Sequence, residues 1–388
     1  MLPNNKRQAA MSINMNPFIV SGKIPAAYFC DREEEARQLL MSLTNQLNVV
    51  LTSARRMGKT SLVDFVFDKP ELAENYITIT IDILHTTTFR EFIYAFGTAV
   101  FKKVASRSAK MRRLFALTLK SLSASFGYDP IQNTPTFDIK LGDITQPDYT
   151  VEEIFAFLEQ ADKRCLVVID EFQQITKYPE KNVEAILRSH IQRMQNANFV
   201  FAGSQRRLME EMFFSSHRPF YQSSKSVRLE PIPPDVYAAF VLHHFHQAGK
   251  DIEPEAIQKV YDTFKGVTLY LQRIMKDAFA ITPKGETCTL EAVAQLSEAF
   301  VMENDTRIRE QLAYITESQK ELLYAIYEER QVSSITSAAF TKKHRLKSPS
   351  ATQSAALRLL EDDLITRKEK VYSLSDPLLE LWMDRRTM

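Results

Sequence analysis

The chain has 388 residues, a formal net charge of +1, 45% apolar residues and 25% charged residues. These values are typical of a globular protein with room for two or three domains, and they exclude a generally polybasic nucleic-acid-binding protein. No stretch approaches the ~20 apolar residues of a membrane helix, so we expect no membrane association. Cys30, Cys165 and Cys288 have no paired spacing, which excludes a disulfide framework and predicts a reducing cytoplasm.

The first predicted elements lead into a buried strand. A helix with leucines on one face is predicted over residues 33–47, and an apolar strand begins at Val49. Phe18 and Phe29 precede this helix. Each is expected either to stack on an adenine ring or to lie in the core.

The residues after this strand have the spacing of a phosphate-binding loop, in which backbone N–H groups and a helix N-terminus converge on an anion. We expect Lys59 to reach the β- and γ-phosphates of a nucleotide and the Thr60 hydroxyl to bind Mg²⁺. Ser53 replaces the first glycine of the pattern and fits there only if its φ is negative, whereas Gly58 is kept beside the phosphates. The predicted nucleotide-binding residues are Ser53, Arg55, Arg56, Met57, Gly58, Lys59, Thr60 and Ser61.

The next predicted elements separate this loop from a second motif. They are a strand at 76–82, a helix at 89–104, an inserted hairpin at about 121–145 and a helix from Thr150. The hairpin is predicted to have strands Ser121–Phe126 and Thr136–Leu141, joined through Tyr128–Pro130. Thr150 and Glu153 have the spacing of a capping box, which predicts the helix start.

The second motif is an apolar strand from Cys165 that ends on Asp170 and Glu171. Such a run is typical of a buried parallel strand that delivers acids to the carboxyl edge of a sheet. Asp170 is suited to the Mg²⁺ shell, and Glu171 is suited to polarising an attacking water. Because this motif follows the phosphate loop in the order of a nucleotide hydrolase, we interpret both acids as functional rather than as an acidic turn.

A further buried strand over 198–205 ends in polar residues, and Ser204 is the predicted sensor of the γ-phosphate, with Gln205 behind it. An arginine is also expected at the transferred phosphoryl group. The candidates are Arg206, Arg207, Arg218 or an arginine supplied in trans, and the sequence leaves them open.

Prolines at 231, 233 and 234 mark the end of the first predicted domain, which spans residues 1–231. A helical lid is predicted over 232–315 and a winged helix over 316–388, with three helices followed by a two-stranded wing at 364–374. The winged helix is locally basic but has few side chains able to read base edges, so DNA and a protein partner stay open as its ligands.

Several of these motifs together resemble the archaeal-type ATPase family, which belongs to the AAA+/STAND branch of P-loop NTPases. The resemblance rests on the segments at 16–18, 28–33, 53–61, 168–173, 201–204, 266–271 and 375–382. It implies an ATP-binding α/β core, a helical lid and a C-terminal winged helix. The sequence departs from the family pattern at two places. Residues 220–223 lack the arginine that is usual in the family, and residues 266–269 lack its Gly-Gly-x-Pro lid motif.

We therefore expect an α/β fold with a P-loop, AAA+-like parallel sheet, a helical lid and a C-terminal winged helix. The predicted function is that of a cytoplasmic, Mg²⁺-dependent, slow ATPase that acts as a nucleotide-controlled switch, with Lys59, Glu171 and Ser204 as catalytic residues and Thr60 and Asp170 as metal ligands. The alternatives are an ATP-bound scaffold that scarcely hydrolyses and a DNA-directed ATPase with its specificity in the winged helix. Oligomerisation is compatible with each of these functions.

Overall fold

The computed structural model describes residues 16–122, 125–129, 134–138 and 140–387. The chain forms two compact units: an α/β unit of residues 23–230, and a helical unit built from residues 16–22 together with the chain from Pro231 onward. Among the described helices, none combines the length and the apolar content needed to cross a bilayer.

The α/β unit is organised around a five-stranded parallel sheet with the strand order β2-β5-β6-β1-β7. All five carboxyl ends therefore meet at one edge, where ligands bind in open α/β sheets. Strands β3 and β4 pair with each other as a separate antiparallel hairpin. The strands are β1 (Val49–Ser53), β2 (Tyr76–Asp82), β3 (Ser125–Asp129), β4 (Thr134–Asp138), β5 (Arg164–Asp170), β6 (Ala197–Gly203) and β7 (Lys225–Leu229).

Both faces of the sheet are covered, because successive residues of each central strand point to opposite sides. In β5, Val167 and Ile169 join a phenylalanine-rich core, whereas Leu166 and Val168 join a smaller aliphatic core on the other face. The covering helices are α1 (Glu33–Thr44), α2 (Lys59–Phe67), α3 (Pro70–Ala73), α4 (Phe89–Lys103), α5 (Ala109–Thr118), α6 (Pro147–Glu159), α7 (Val183–Ile191) and α8 (Arg206–Phe214).

The predicted capping box at Thr150 is wrong. Helix α6 begins at Pro147, a residue whose fixed φ suits the first helical position. The Thr150 hydroxyl donates to the carbonyl of Gln146 at 3.0 Å, within the first turn. The Glu153 carboxylate accepts hydrogen bonds from the Lys120 N–H group at 3.1 Å and from the Ser121 hydroxyl at 2.6 Å. Glu153 thus holds the end of another segment instead of capping its own helix.

The inserted hairpin is present, but its strands are displaced from the predicted positions. Strand β3 begins at Ser125 rather than Ser121, and the Ser121 N–H group donates to Glu153. The predicted connector residues Tyr128 and Asp129 lie in β3 and pair with β4. Parts of the predicted hairpin, at 123–124, 130–133 and 139, lie outside the described residues.

The helical unit contains two small sheets, a parallel pair β8–β9 and an antiparallel wing β10–β11. Its strands are β8 (Asp251–Ile252), β9 (Thr287–Cys288), β10 (Ile365–Lys368) and β11 (Val371–Leu374). Its helices are α9 (Pro234–Gln247), α10 (Pro254–Thr263), α11 (Thr268–Ile281), α12 (Leu290–Glu303), α13 (Asp305–Ala313), α14 (Glu317–Glu329), α15 (Ala338–Lys343), α16 (Pro349–Glu361) and α17 (Pro377–Thr387). Helices α14 to α16 and the wing have the arrangement of a winged helix, as the sequence predicts.

Phe18 lies in the core of the helical unit. Its ring is fully buried and contacts Phe240, Phe245 and Phe279 at centroid distances of 5.8–5.9 Å. The adenine-stacking alternative for Phe18 is therefore wrong. Phe29, in the α/β unit, is half-buried and stacks on Phe65 at 4.2 Å.

Candidate functional site

The phosphate loop joins the carboxyl end of β1 to the start of α2. Ser53 is the last residue of β1, is buried and does not have a positive φ, so the condition that its replacement of glycine required is met. Gly58 has a φ of +89°, in the left-handed region that favours glycine. Arg56 also has a left-handed φ, of +66°. Alternating left- and right-handed residues turn successive N–H groups toward one side, which makes a concave anion site.

The side chains of the loop differ in exposure. Met57 and Lys59 are buried, Arg56 is half-buried, and Arg55 and Thr60 are exposed. Helix α2 starts at Lys59, so the free N–H groups of its first turn lie beside the loop. The loop therefore supplies a buried ammonium, an exposed hydroxyl and helix N–H groups together.

The two motifs that the sequence predicts to be functional meet at this edge. Strands β1 and β5 are separated by β6, and the carboxyl end of β5 delivers Asp170 and Glu171 to the start of α2. The Thr60 hydroxyl donates to Asp170 Oδ2 at 3.2 Å. The Lys59 ammonium lies 3.6 Å from Glu171 Oε1. Residues about 110 positions apart thus form one polar cluster.

The two acids differ in their protonation chemistry. Burial raises the pKa of Asp170, with the Lys59 ammonium opposing that shift and the Glu171 charge adding to it. For Glu171, burial acts in the same direction but is outweighed by the Lys59 charge and by hydrogen bonds from Ser204 and Gln173, so its pKa is lowered. The lowered pKa favours the charged form of Glu171, which is the form that can accept a proton.

Ser204 follows β6 and is buried, and its hydroxyl donates to Glu171 Oε2 at 2.6 Å. The hydroxyl of the predicted γ-phosphate sensor is thus hydrogen-bonded to Glu171 in this structure. Gln173 was not among the predicted site residues, yet its side-chain amide donates to the same oxygen at 2.5 Å. A polar residue two positions after the acid, in a buried segment, is the signal that could have identified it.

Asp82 is a further residue near this site that was not among the predicted site residues. It ends β2, and the strand register pairs it with Asp170. Its charge helps to raise the pKa of Asp170. The Asp82 side chain accepts a hydrogen bond from the Leu84 N–H group at 2.9 Å.

Two of the three candidate arginines are engaged by carboxylates of the α/β unit. Arg206 forms ion pairs with Glu210 at 2.9 Å and with Glu230 at 3.4 Å. Arg218 contacts Glu184 at 2.5 Å. Arg207 is exposed on α8.

Comparison with known proteins agrees with this architecture. Residues 307–385 match the family model described as a probable winged helix domain. The Walker-type ATPase of Pyrococcus abyssi has a similar structure, with a TM-score of 0.66 and 17% identity over 95% of this chain and 99% of that one. The ORC2 protein of Aeropyrum pernix, solved as ADPNP–ADP complexes, has a TM-score of 0.58 and 13% identity over 96% of this chain and 97% of that one. No curated relative matches the chain in sequence.

At these identities the likeness establishes the fold. The chain has the α/β, P-loop, AAA+-like fold with a C-terminal winged helix, and the architecture expected from the resemblance to archaeal-type ATPases is confirmed.

Proposed function

We propose that this protein binds ATP with Mg²⁺ and hydrolyses it slowly, as a nucleotide-controlled switch. The observation that carries this proposal is the convergence of Lys59, Thr60, Asp170 and Glu171 at the carboxyl edge of one parallel sheet. The nucleotide complexes of the structurally similar ORC2 protein support a nucleotide site in a fold of this kind.

Each of these residues has a distinct role. Lys59 binds the β- and γ-phosphates through its ammonium, together with N–H groups of the loop. Thr60 and Asp170 offer a hydroxyl and a carboxylate side by side, the hard oxygen ligands that Mg²⁺ prefers, and the two fit this ion. Bound Mg²⁺ supplies neutralisation of phosphate charge.

Glu171 is the proposed proton acceptor. A water O–H bond breaks and its proton goes to the Glu171 carboxylate, while the water oxygen bonds to the γ-phosphorus. The bond from that phosphorus to the bridging oxygen then breaks, giving ADP and phosphate. The lowered pKa of Glu171 keeps this carboxylate charged.

Slow turnover is part of the proposal, because the arginine usual in the resembled family is missing from residues 220–223. Arg206 and Arg218 are occupied by carboxylates, so either would have to leave an ion pair to reach a phosphate. Arg207 and an arginine from a neighbouring copy complete the candidates, and the latter would require an oligomer.

The three cysteines are free and buried, which supports a cytoplasmic location.

Two further functions are supported by particular observations. The missing arginine favours an ATP-bound scaffold that scarcely hydrolyses, and steady-state phosphate release separates it from an ATPase. The match of residues 307–385 to a winged helix favours a DNA-directed ATPase. Stimulation of turnover by DNA would support that alternative.

Substitution of Glu171 by glutamine tests the proposed ATPase. Glu171→Gln keeps the size of the side chain and removes its basicity, so ATP should still bind while turnover falls by ~10²-fold or more. Phosphate release and nucleotide titration measure the two effects. Glu152→Gln, at an exposed position on α6, is the matched control and should behave as the parent. Hydrolysis at the parent rate by Glu171→Gln would remove this acid from the mechanism.

A further inference from the structure

The two oxygens of the Glu171 carboxylate have different surroundings. Oε2 accepts hydrogen bonds from Gln173 Nε2 at 2.5 Å, from Ser204 Oγ at 2.6 Å and from the Ser204 N–H group at 3.4 Å. Oε1 faces the Lys59 ammonium at 3.6 Å. One oxygen is thus held by neutral donors from the ends of two strands, and the other faces the cation that the proposed function assigns to the phosphates.

Gln173 is fixed in place. It is 2% exposed and lies in the 3₁₀ helix Phe172–Lys177, directly after Glu171, whose φ of +55° turns the chain sharply at the end of β5. The amide must present its NH₂ group to Glu171, since its carbonyl oxygen would repel the carboxylate. The backbone turn therefore sets a donor against the acid two residues before it.

Packing around Gln173 confirms how closely the amide is confined. A Cβ atom added at Gly203, the residue before Ser204, would lie 2.5 Å from Gln173 Oε1 and 2.6 Å from the Met209 side chain. Because Gly203 has no side chain, the Gln173 amide can occupy this space. A side chain at position 203 would therefore require Gln173 or Met209 to shift.

We propose that Gln173 is a positioning residue that holds Glu171 Oε2, together with Ser204, so that Oε1 is the oxygen that accepts the proton of the attacking water. This inference rests on the proposed ATP hydrolysis. When the Lys59 ammonium turns toward phosphate, Oε1 loses its cation while Oε2 keeps its neutral donors. The carboxylate then keeps its orientation with one oxygen left for water, which is the pre-organisation that a general base needs.

Substitution of Gln173 by methionine separates positioning from packing. Gln173→Met keeps the length and volume of the side chain and removes its donor, so kcat should fall about tenfold or more, the scale of one lost hydrogen bond to a charged group. KM and the ATP dissociation constant should change by less than about twofold, because the proposed role acts through Glu171 rather than on the nucleotide. Gln174→Met is the matched control, since the Gln174 amide donates to the Thr86 carbonyl at 2.9 Å and should leave kcat unchanged.

A double-mutant cycle tests whether Gln173 acts through Glu171. In the Glu171→Gln background, Gln173→Met should cause no further loss of kcat. A further loss as large as that seen in the parent would show an independent effect and overturn the proposal. Gln173→Leu also removes the donor and should reproduce the fall in kcat, which keeps the test available if Gln173→Met does not fold.

A measurement without turnover separates this inference from the proposed function. In a crystal structure of nucleotide-free Gln173→Met, the Glu171 side chain should leave the position it has in the parent, and an unchanged Glu171 would overturn the inference. A parent protein that releases no phosphate would contradict the proposed ATPase instead. An active parent together with Gln173→Met at the parental kcat would contradict only the positioning role.

Discussion

Lys59 is a buried cation beside Asp170 and Glu171. Its charge acts to lower the pKa of each of these carboxylates. Lys59→Ala removes the mobile positive charge of the proposed phosphate site, so measurable ATP affinity should be lost at physiological salt. Nucleotide titration checks this expectation. Lys181→Ala, at an exposed lysine of the same unit, is the control and should bind as the parent does. Unchanged affinity in a folded Lys59→Ala protein would place the nucleotide elsewhere.

The same residues show what local sequence can and cannot predict. Lys59 and Thr60, like Asp170 and Glu171, could be proposed from the sequence because each pair sits in a motif whose spacing predicts its chemistry. The contact of Ser204 with Glu171 could not be predicted, because it depends on the register of β5 against β6 and on the left-handed φ of Glu171. Gln173 was not singled out, although a polar residue two positions after the acid was a usable signal; its contact depends on the left-handed φ of Glu171.

At the scale of elements, the segment ahead of α1 has a defined structural role. Phe18 is fully buried against α9 and α11, and the Asn16 side chain donates to the Lys276 carbonyl at 2.8 Å. Residues 16–22 are thus packed into a unit whose remaining chain begins more than 200 positions later. A short polar and aromatic segment carries no sequence signal for such a distant partner.

Truncation of the Phe18 side chain measures how much this segment stabilises the helical unit. Phe18→Ala removes a buried ring, and the free energy of unfolding of that unit should fall by about 3–5 kcal/mol. Hydrogen exchange of backbone amides in α9 and α11 should rise accordingly. Phe29→Ala is the control, because the Phe29 ring stacks on Phe65 in the α/β unit and should leave exchange in α9 and α11 unchanged. Unchanged protection in Phe18→Ala would mean that the segment is not part of that core.

Helix α6 shows why a local pattern failed where the fold as a whole was predicted. Thr150 and Glu153 have capping-box spacing, but Glu153 instead binds the backbone at Lys120 and Ser121. A tertiary partner therefore overrode the local preference. Strand β5 was predictable because five consecutive apolar residues are buried on both faces. Strand β7 could not be predicted in this way, because it is an edge strand of the sheet and only its residues Val227 and Leu229 are buried.

At the scale of the whole molecule, the winged helix is joined to the preceding helices through the residues of α17 and those just before it. The Tyr270 hydroxyl donates to Asp376 at 2.9 Å, and the Trp382 indole donates to Asp305 at 2.8 Å. Lys265 forms an ion pair with Glu380 at 2.5 Å. These contacts tie α17 and the residue just before it to α11, to α13 and to the segment between α10 and α11, so experiments on the winged helix are best made on the full chain.

The charges of the winged helix are partly neutralised by its own acids. Lys343 and His344 contact Glu329 at 2.5 and 2.9 Å, and Arg358 on α16 contacts Glu361 at 2.8 Å. Leu357 is 43% exposed on α16, where a base-reading side chain would be useful. Further exposed cations lie around α15 and in the wing. They are Lys342, Arg345, Lys347, Arg367, Lys368 and Lys370.

This distribution predicts weak DNA binding governed by phosphate contacts. The full chain should bind duplex DNA at micromolar or poorer affinity, with little sequence preference and a steep loss with salt, because each neutralised phosphate releases counterions. Changing Arg367, Lys368 and Lys370 together to alanine should lower the affinity and reduce the salt slope by about 3. The same change at Lys102, Lys103 and Lys110, exposed in the α/β unit, removes equal charge and should leave the slope nearly unchanged. Fluorescence anisotropy over a salt series measures both quantities.

Tight, salt-insensitive binding to one sequence would favour the DNA-directed ATPase, whereas no binding at low salt would make the winged helix a protein-contacting module.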